Sequence, residues 1–234
     1  AHLYAPQLYR KIAYPFLGLL VSGGHTIICK VDDVDQIHVM GTTIDDACGE
    51  AFDKVARLLK LGYPGGPEID RAAKVGNPNA FSLPEGRVRQ PGGGFHPYDS
   101  SFSGLKTAVL RLVQQLEATG DALPVEDLAA SFQNTVAKAL TKRTIACALD
   151  SGLQTIAVGG GVAANSSLRH QLTEAGEQHN LRVLFPPMKY CTDNAAMIAC
   201  AAAQHFENGD RSPLTLGASS RLAIAEVGQL YQRT

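Results

Sequence analysis

The sequence predicts an α/β protein in which three hairpin-linked strands are followed by alternating helices and strands. Three β-rich runs, at 16–21, 25–31 and 36–41, are separated by only a few residues each. Apolar residues then recur at helical spacing, and two later β-rich runs lie at 155–158 and 181–185. When two extra helices in the middle of the chain are set aside, the order of elements is β-β-β-α-β-α-β-α.

Composition places the chain among folded globular proteins with one large domain or two small ones. It has 234 residues, of which 45% are hydrophobic and 18% charged. The formal net charge of -1 argues against binding of nucleic acid by bulk electrostatics alone, so an RNA substrate would need a local basic patch or a partner subunit. The five cysteines form no C-x-x-C pair, which favours reduced thiols. No transmembrane run or signal peptide is recognisable, so we expect a cytoplasmic protein, or one of an organellar matrix, with no membrane partner.

The first glycine turn, Ser22-Gly23-Gly24, joins the first two predicted strands. Glycine has no Cβ, so a ligand can approach the backbone amides closely. Successive amides in such a turn can bind an anion, and the hydroxyls of Ser22 and Thr26 are available beside them in sequence. The pattern fits either an ordinary tight hairpin or part of a ligand site.

The helix predicted at 45–60 has a polar face on which Asp53 is the candidate functional residue. Its carboxylate could hold a ribose hydroxyl or a substrate amine, but a solvated face with salt bridges is the simpler interpretation. The turn from Tyr63 to Pro67 is rich in proline and glycine, and turn geometry alone could account for it. A short helix is expected at 68–74.

The middle of the chain is predicted to be an insertion. Residues 76–100 are rich in Gly, Pro and Asn, which favours a loop or a β-hairpin. Two amphipathic helices follow, from Ser103 and from Pro124, and we expect them to pack as a separate helical layer. The predicted organisation is a connection at 1–15, an α/β domain at 16–75 and 151–234, and an inserted loop and helical layer at 76–150.

A second glycine turn, Gly159 to Gly161, lies between a strand and a helix. In open α/β sheets, ligands bind beyond the carboxyl ends of the strands, so a nucleotide could lie on this turn. Close packing of helix on strand is the alternative, and Asn165 could be only the N-cap of its helix. Asp193 begins the helix predicted at 192–206 and is most simply a helix cap, although together with His2 it could be a metal ligand.

Six short motifs run along nearly the whole chain. They are L-V-S-G-G-H-T at 20–26, G-E-A-F-D-K at 49–54, Y-P-G-G-P at 63–67, S-F-S-G-L-K-T at 101–107, G-G-G-V-A-A-N at 159–165 and Y-C-T-D-N at 190–194. By these motifs the chain resembles the family of the tRNA threonylcarbamoyladenosine synthase catalytic subunit, once labelled O-sialoglycoprotein endopeptidase or glycoprotease. The order of the elements is also typical of one ribonuclease-H-like half-domain, two of which surround the nucleotide cleft in actin-like ATPases.

The resemblance implies an acyltransferase that moves a threonylcarbamoyl group from threonylcarbamoyl-AMP to tRNA. The acceptor would be the exocyclic amine of the adenosine just 3′ of the anticodon, at position thirty-seven, in tRNAs that read codons beginning with A. The implied partners are tRNA and the other subunits of a threonylcarbamoylation complex.

The resemblance also implies roles for particular residues. The contacts to the adenylate and its acyl group would be Leu20, Val21, Ser22, Gly23 and Gly24. Asp53, Gly66 and Asp70 would hold the ribose and neighbouring groups, and Asn165 would contact the nucleotide. His2 and Asp193 would be two ligands of the family's single divalent metal, iron or zinc.

One departure from the family pattern concerns the metal motif, which in the family is His-x-x-x-His on a helix. His2 fits the second histidine, and the first would precede Ala1. We therefore expect a C-terminal portion of a longer protein, lacking the N-terminal half, with an incomplete metal site and little activity of its own. The alternatives are a metal-dependent glycoprotease, a small-molecule kinase of the same superfamily and a non-catalytic scaffold paralogue, although the chain has no H-E-x-x-H protease motif.

Overall fold

A computed structural model describes residues 1–120, 122–217 and 232–233. Most of the weakly patterned tail, 212–234, lies outside the described residues. The strands are β1 (Phe16–Val21), β2 (Thr26–Asp33), β3 (Gln36–Thr42), β4 (Arg87–Arg89), β5 (Phe95–Ser100), β6 (Thr155–Gly159), β7 (Arg182–Leu184), β8 (Asp210–Arg211) and β9 (Gln232–Arg233). The α-helices are α1 (Cys48–Leu58), α2 (Gly65–Ala72), α3 (Ser103–Ala118), α4 (Val125–Asp150), α5 (Ser166–Gln178) and α6 (Ala195–Glu207).

The main sheet has five strands in the order β3-β2-β1-β6-β7. Strands β1, β2 and β3 pair antiparallel, whereas β6 pairs parallel with β1 and with β7. Tight turns can join only antiparallel neighbours, and parallel neighbours need a crossover, so this arrangement follows from the order of the elements in the sequence. The predicted α/β, ribonuclease-H-like order is confirmed.

Helix α4 lies at the centre of the larger core, on one face of the sheet. Its Phe132 packs edge-on against Phe52 of α1, with ring centroids 5.1 Å apart, and both side chains are buried. Residues of α3, α4 and α5 belong to the same apolar cluster as Leu19 of β1. Helices α3 and α4 therefore share the core with the sheet instead of forming a separate layer, and α4 leads directly into β6.

The opposite face of the sheet is covered by a short 3₁₀ helix, His2–Leu8, against which α6 packs. Leu3 of the 3₁₀ helix packs with Phe16 and Ala157 of the sheet in a second, smaller core cluster. Because the 3₁₀ helix also contacts β6, it brings His2 to the carboxyl end of that strand. Among the described residues, no helix is both long enough and apolar enough to cross a lipid bilayer.

The glycine-rich stretch after α2 contains a β-hairpin, so the hairpin alternative for 76–100 is confirmed. Strands β4 and β5 pair antiparallel, and three glycines at the tip have positive φ. Thr43, just beyond β3, forms a parallel bridge with Ser100 of β5. The hairpin therefore extends the sheet edge next to the C-terminal half of α4.

Two helices begin three residues later than the sequence predicted. Helix α1 begins at Cys48 because Asp45 accepts hydrogen bonds from the amides of Phe102 and Ser103, at 2.8 and 3.2 Å, and so caps α3 instead. Helix α6 begins at Ala195, and its cap is Asn194, whose side chain accepts from the amide of Met197 at 2.9 Å. The capping interpretation of Asp193 was wrong, and that side chain is free for another role.

Candidate ligand and metal site

The turn after β1 is closed by its own serine. The amide of Ser22 donates to the carbonyl of His25 at 2.8 Å, and the Ser22 hydroxyl accepts from the amides of Gly24 and His25 at 3.4 and 3.1 Å. A Cβ on Gly23 or Gly24 would meet open space, and both glycines are exposed. The turn therefore presents bare backbone to any ligand above it.

The N-terminus of α1 packs against this turn. Thr26 is buried and its hydroxyl accepts from the amide of Cys48 at 2.8 Å, so it holds the helix and is not available to a ligand. The amide of Gly49 donates to the carbonyl of Ser22 at 3.1 Å, and a Cβ on Gly49 would lie 2.6 Å from that oxygen. The positive end of the α1 dipole is thus directed at the exposed glycines, which favours a negatively charged ligand group there.

The second glycine turn lies against the first. Gly160 has φ +99, and a Cβ there would overlap the carbonyl of Val21. A Cβ on Gly159 would overlap the carbonyl of His2. Both glycine turns therefore lie at the same edge of the sheet, where they are in direct contact.

Asp53 anchors the proline- and glycine-rich turn. One carboxylate oxygen, Oδ1, accepts from the amide of Gly65 at 2.7 Å, which fixes the start of α2 against α1. The neighbouring Lys54 pairs with Asp46 and Glu50 at 2.8 and 2.9 Å, so the salt bridges of this helix face do not involve Asp53. Gly66 beside this anchor has open space around its Cα.

Asp70 and Asn165 belong to one hydrogen-bond network. Asp70 Oδ1 accepts from the amide and the hydroxyl of Ser166 at 3.0 and 2.6 Å, and from Asn165 Nδ2 at 3.4 Å. Asn165 Oδ1 caps α5 by accepting from the amide of Leu168 at 3.0 Å, as the sequence suggested. Its Nδ2 also donates to Oε1 of Gln133 in α4, at 2.8 Å.

Gln133 was not singled out from the sequence. It is a polar residue in a helix of apolar pattern, and it exposes only 6% of its surface. It is the acceptor that fixes the Asn165 amide, so it connects α4 to the loop after β6. Position 133 lies beside the apolar stripe that contains Phe132 and Val136, so the helical period gave no signal for this residue.

Replacing Gln133 with methionine is expected to destabilise the chain by about 1–3 kcal/mol, because the buried Asn165 amide loses its acceptor. The melting temperature of the 234-residue chain should fall by roughly 2–12 °C. Gln171→Met is the matched control, since Gln171 donates to Asn134 at 2.9 Å between the same two helices but is only partly buried. An equal fall in melting temperature in both variants would show that the contact with Asn165 contributes no more to stability than the partly buried hydrogen bond of Gln171.

Arg169 is a second residue that the sequence reading missed. Its Nε donates to the carbonyl of Ala163 at 2.7 Å, and its Nη2 donates to the carbonyl of Pro186 at 2.5 Å. Nη2 also lies 3.3 Å from Sγ of the buried Cys191. Arg169 therefore connects the loop after β6 to the segment that leads to Asp193.

His2 and Asp193 lie together at the same sheet edge. Nε2 of His2 and Oδ1 of Asp193 are 3.1 Å apart, with the histidine mostly buried and the aspartate 91% exposed. Burial lowers the pKa of His2, which the charge of Asp193 partly opposes, so the neutral imidazole that a metal requires is favoured. The half-buried Leu20 lines the same groove, of about 530 Å³.

The pair fits part of a metal site. Two ligand atoms that bind a tetrahedral zinc ion at about 2.0–2.2 Å lie roughly 3.3–3.6 Å from each other, close to the 3.1 Å between Nε2 of His2 and Oδ1 of Asp193. His2 Nδ1 is buried and has no partner among the described residues, whereas ligating histidines usually donate their second N–H. Within the described part of the chain, no group of three His, Cys, Asp or Glu side chains could hold a metal. The pair supplies two ligands, and a complete site needs more.

The fold resembles those of solved structures that share little sequence with this chain. Full-length HypF, in its phosphate- and nucleotide-bound form, matches with a TM-score of 0.69 at 12% identity, over 89% of this chain and 35% of that one. The activator of 2-hydroxyisocaproyl-CoA dehydratase from Clostridium difficile, with bound ADPNP, matches with a TM-score of 0.51 at 17% identity, over 88% of this chain and 68% of that one. At such identities the likeness concerns the fold alone.

The sheet order and these likenesses define the chain as an α/β domain that shares its fold with HypF and the dehydratase activator. Sequence comparison is more specific. The family profile described as TsaD, tRNA N6-adenosine threonylcarbamoyltransferase, matches residues 1–200. Relatives of that name are 68% identical over 232 residues in Nostoc sp. and 65% identical over 233 residues in Synechocystis sp..

The chain belongs to the tRNA N6-adenosine threonylcarbamoyltransferase family, whose members are transferases that modify tRNA. The two matches cover 99% of this chain and 67% of each relative. A third of the length of each relative therefore lies outside the match.

Proposed function

We propose that the chain forms the nucleotide and metal part of a site that transfers threonylcarbamoyl from threonylcarbamoyl-AMP to the adenosine just 3′ of the anticodon. The observation that carries this proposal is that the two glycine turns contact each other and that Gly159 of the second turn lies against His2, which pairs with Asp193. An acyl-adenylate has a phosphate and a carbonyl next to each other. Backbone amides that bind an anion, next to two metal ligands, suit the phosphate and the carbonyl together.

The adenylate phosphate and acyl group are assigned to the first turn. Gly23 and Gly24 are exposed, and the amide of Gly23 donates to no other described residue. The start of α1 adds its dipole at the same place, as helix N-termini do in many phosphate sites. Side chains alternate along β1, so Val21 points into the core and Leu20 lines the groove beside His2. Both residues therefore hold the turn in place next to the ligand.

The ribose is assigned to Asp53, Gly66 and Asp70. Each carboxylate uses Oδ1 within the protein, and Oδ2 forms no hydrogen bond with the described residues, so it remains available to a hydroxyl. The open space at Gly66 lets a sugar approach the backbone. Asn165 is fixed by Gln133 and Asp70, so it acts by shaping the loop on which the nucleotide rests.

The metal ligands in this chain are His2 and Asp193, and family members generally depend on a metal ion. Iron or zinc suits imidazole and carboxylate ligands. When bound, the ion supplies a Lewis acid for the carbonyl of the threonylcarbamoyl group. Further ligands come from outside the described residues.

The task of the protein groups is positioning and electrostatic stabilisation. An aromatic exocyclic amine is a weak nucleophile, so holding it against the carbamoyl carbon accounts for much of the rate. AMP leaves with its negative charge on the phosphate, and the exposed turn amides with the α1 dipole stabilise that charge. No side chain of this site needs to form a covalent intermediate.

We also propose that tRNA reaches this site with the help of other subunits, in the cytoplasm. The chain carries a net charge of -1, so its own attraction for RNA is weak. The protease alternative has no support in the described site, because no histidine pair there has the H-E-x-x-H spacing with its general-base glutamate.

Asp53→Asn is expected to weaken binding of AMP and threonylcarbamoyl-AMP about 10-fold or more, since a hydrogen bond to a charged group contributes about 1.5–3 kcal/mol. Asparagine keeps an acceptor for the Gly65 amide, so the melting temperature should stay near that of wild type, whereas Asp53→Ala should lower both. Titration calorimetry and transfer assays on the full-length protein provide the measurement. Glu50→Gln, one turn earlier on α1 and paired with Lys54, is the control. Unchanged affinity in Asp53→Asn would remove Asp53 from the site.

A further inference from the structure

A basic pocket of about 270 Å³ lies between the β4–β5 hairpin and the C-terminal half of α4, away from both glycine turns. Its polar and aromatic lining is Glu85, Arg87, Phe95, His96, Lys142 and Arg143. Three cationic side chains and one carboxylate leave this lining with a net charge of +2, in a chain whose net charge is -1. The roles proposed above do not use this pocket.

Arg143 is a buried arginine with unused donors. It exposes only 8% of its surface, and Nη2 donates to the carbonyls of Glu85 and Gly86 at 2.8 Å each. Nε and Nη1 donate to no described residue, yet neither atom is sealed from solvent. A guanidinium stays charged in proteins, so these donors are presented to the pocket with a full positive charge.

Arg87 lies beside Arg143, and no carboxylate in the described part of the chain neutralises its charge. Among the described residues it forms no ion pair, and its guanidinium lies 5.5 Å from the centre of the Phe95 ring. Burial lowers the pKa of Arg143; the charges of Glu85 and Asp99 oppose this shift, and the nearby charge of Arg87 adds to it. Glu85 does not fully relieve the repulsion between the two arginines, because Lys142 Nζ binds both its oxygens at 2.8 and 3.1 Å.

The arrangement suits a phosphate group that bridges the two arginines. Planar guanidinium donors bind phosphate oxygens in pairs, and a partly buried arginine loses little freedom when it does so. Phe95 is 47% exposed at the mouth of the pocket, and an exposed aromatic ring beside arginines is a platform for an unpaired base. A phosphate flanked by a base occurs in a polynucleotide, which favours RNA over a free anion.

We propose that this pocket holds a backbone phosphate of the tRNA substrate, a few nucleotides from the adenosine that is modified. Arg143 lies ten residues after Gln133 along α4, a rise of about 15 Å, and Gln133 belongs to the network beside the nucleotide site. The proposal rests on the proposed transfer to tRNA. It gives an almost neutral chain the local basic patch that an RNA substrate requires.

Arg87→Gln in the full-length protein tests the proposal. The side chain of Arg87 is exposed and forms no ion pair with the described residues, so the fold should be unaffected. We expect KM for tRNA to rise about 5- to 20-fold while kcat and KM for threonylcarbamoyl-AMP stay the same. For an anticodon stem-loop, the slope of log affinity against log salt concentration should fall in magnitude by roughly 0.7–0.9, the effect of one lost phosphate contact. Arg143→Lys should give the same selective effect on tRNA.

Arg111→Gln, an exposed arginine on α3, is the matched control and should leave the tRNA parameters unchanged. If wild type does not transfer to tRNA, the proposed function fails. If wild type transfers and Arg87→Gln keeps its KM for tRNA and its salt slope, the phosphate pocket is refuted alone. If Arg87→Gln abolishes only a rise in melting temperature caused by inorganic phosphate, the pocket takes a free anion and the RNA assignment is wrong.

Discussion

Asp193→Ala is expected to abolish both metal binding and threonylcarbamoyl transfer in the full-length protein. Asp193 is one of the two proposed metal ligands, and its Oδ1 lies 3.1 Å from Nε2 of His2. Loss of a group that only orients a ligand already costs about 10–100-fold in affinity or activity, so loss of a ligand should cost at least about 100-fold. Metal content by mass spectrometry and a transfer assay with purified tRNA measure the two effects.

The control is Asp32→Ala, because Asp32 also faces a histidine, with Oδ2 3.4 Å from Nε2 of His38 on the exposed β2–β3 hairpin. It should change neither metal content nor transfer. The 234-residue chain alone should hold zinc or iron only loosely, since two ligands do not complete a site. A tightly bound, stoichiometric ion in Asp193→Ala would show that the ligands are assigned wrongly.

The role of Asp193 shows what a local sequence pattern can predict and what it cannot. A carboxylate next to a helix start is most simply a cap, and the pattern could not tell Asp193 from Asn194. In the structure Asn194 forms the cap, which leaves Asp193 outside the helix and exposed. Pairing with His2 depends on a separation of 191 residues, which only the tertiary fold brings together.

The sheet itself could be predicted because strand order follows from local signals. Hairpin turns and helical crossovers are encoded by short stretches, and the five-stranded order results from them. The position of α4 could not be predicted in this way. Its buried residues cover most of the helix surface, from Leu128 to Ala148, and such a pattern does not tell which neighbours it packs against.

The polar residues that hold the site together were the least predictable. Gln133 accepts a hydrogen bond from the side-chain amide of Asn165, and Arg169 donates to the carbonyl of Ala163, in each case a group outside its own helix. Their periodicity within α4 and α5 is unremarkable, so nothing local marks them. Asp53 was found as a candidate, but its bond to Gly65 depends on the fold of the turn between α1 and α2.

Gly160→Ala is expected to destabilise the chain strongly, and the reason lies in the backbone. Gly160 has φ 99 and ψ 167, a region that is essentially restricted to glycine and costs other residues about 1–3 kcal/mol. An added Cβ would also overlap the carbonyl of Val21, at the contact between the two glycine turns. Strain and overlap together should cost at least about 3 kcal/mol, or a fall of roughly 6–12 °C in melting temperature for a chain of this size.

Gly161→Ala is the matched control for this substitution, one residue further along the same turn. Its φ lies outside the positive range, and a Cβ there would meet nothing within 4 Å. Its melting temperature should therefore remain within about 1–2 °C of wild type, since substitutions away from packing and strain change stability by about 0.5 kcal/mol. Because Gly160 fixes how closely the loop after β6 approaches the turn at Ser22, Gly160→Ala should also lose affinity for AMP in the full-length protein. Equal melting temperatures for the two variants would mean that the turns can separate without cost, and that their contact does not define the ligand site.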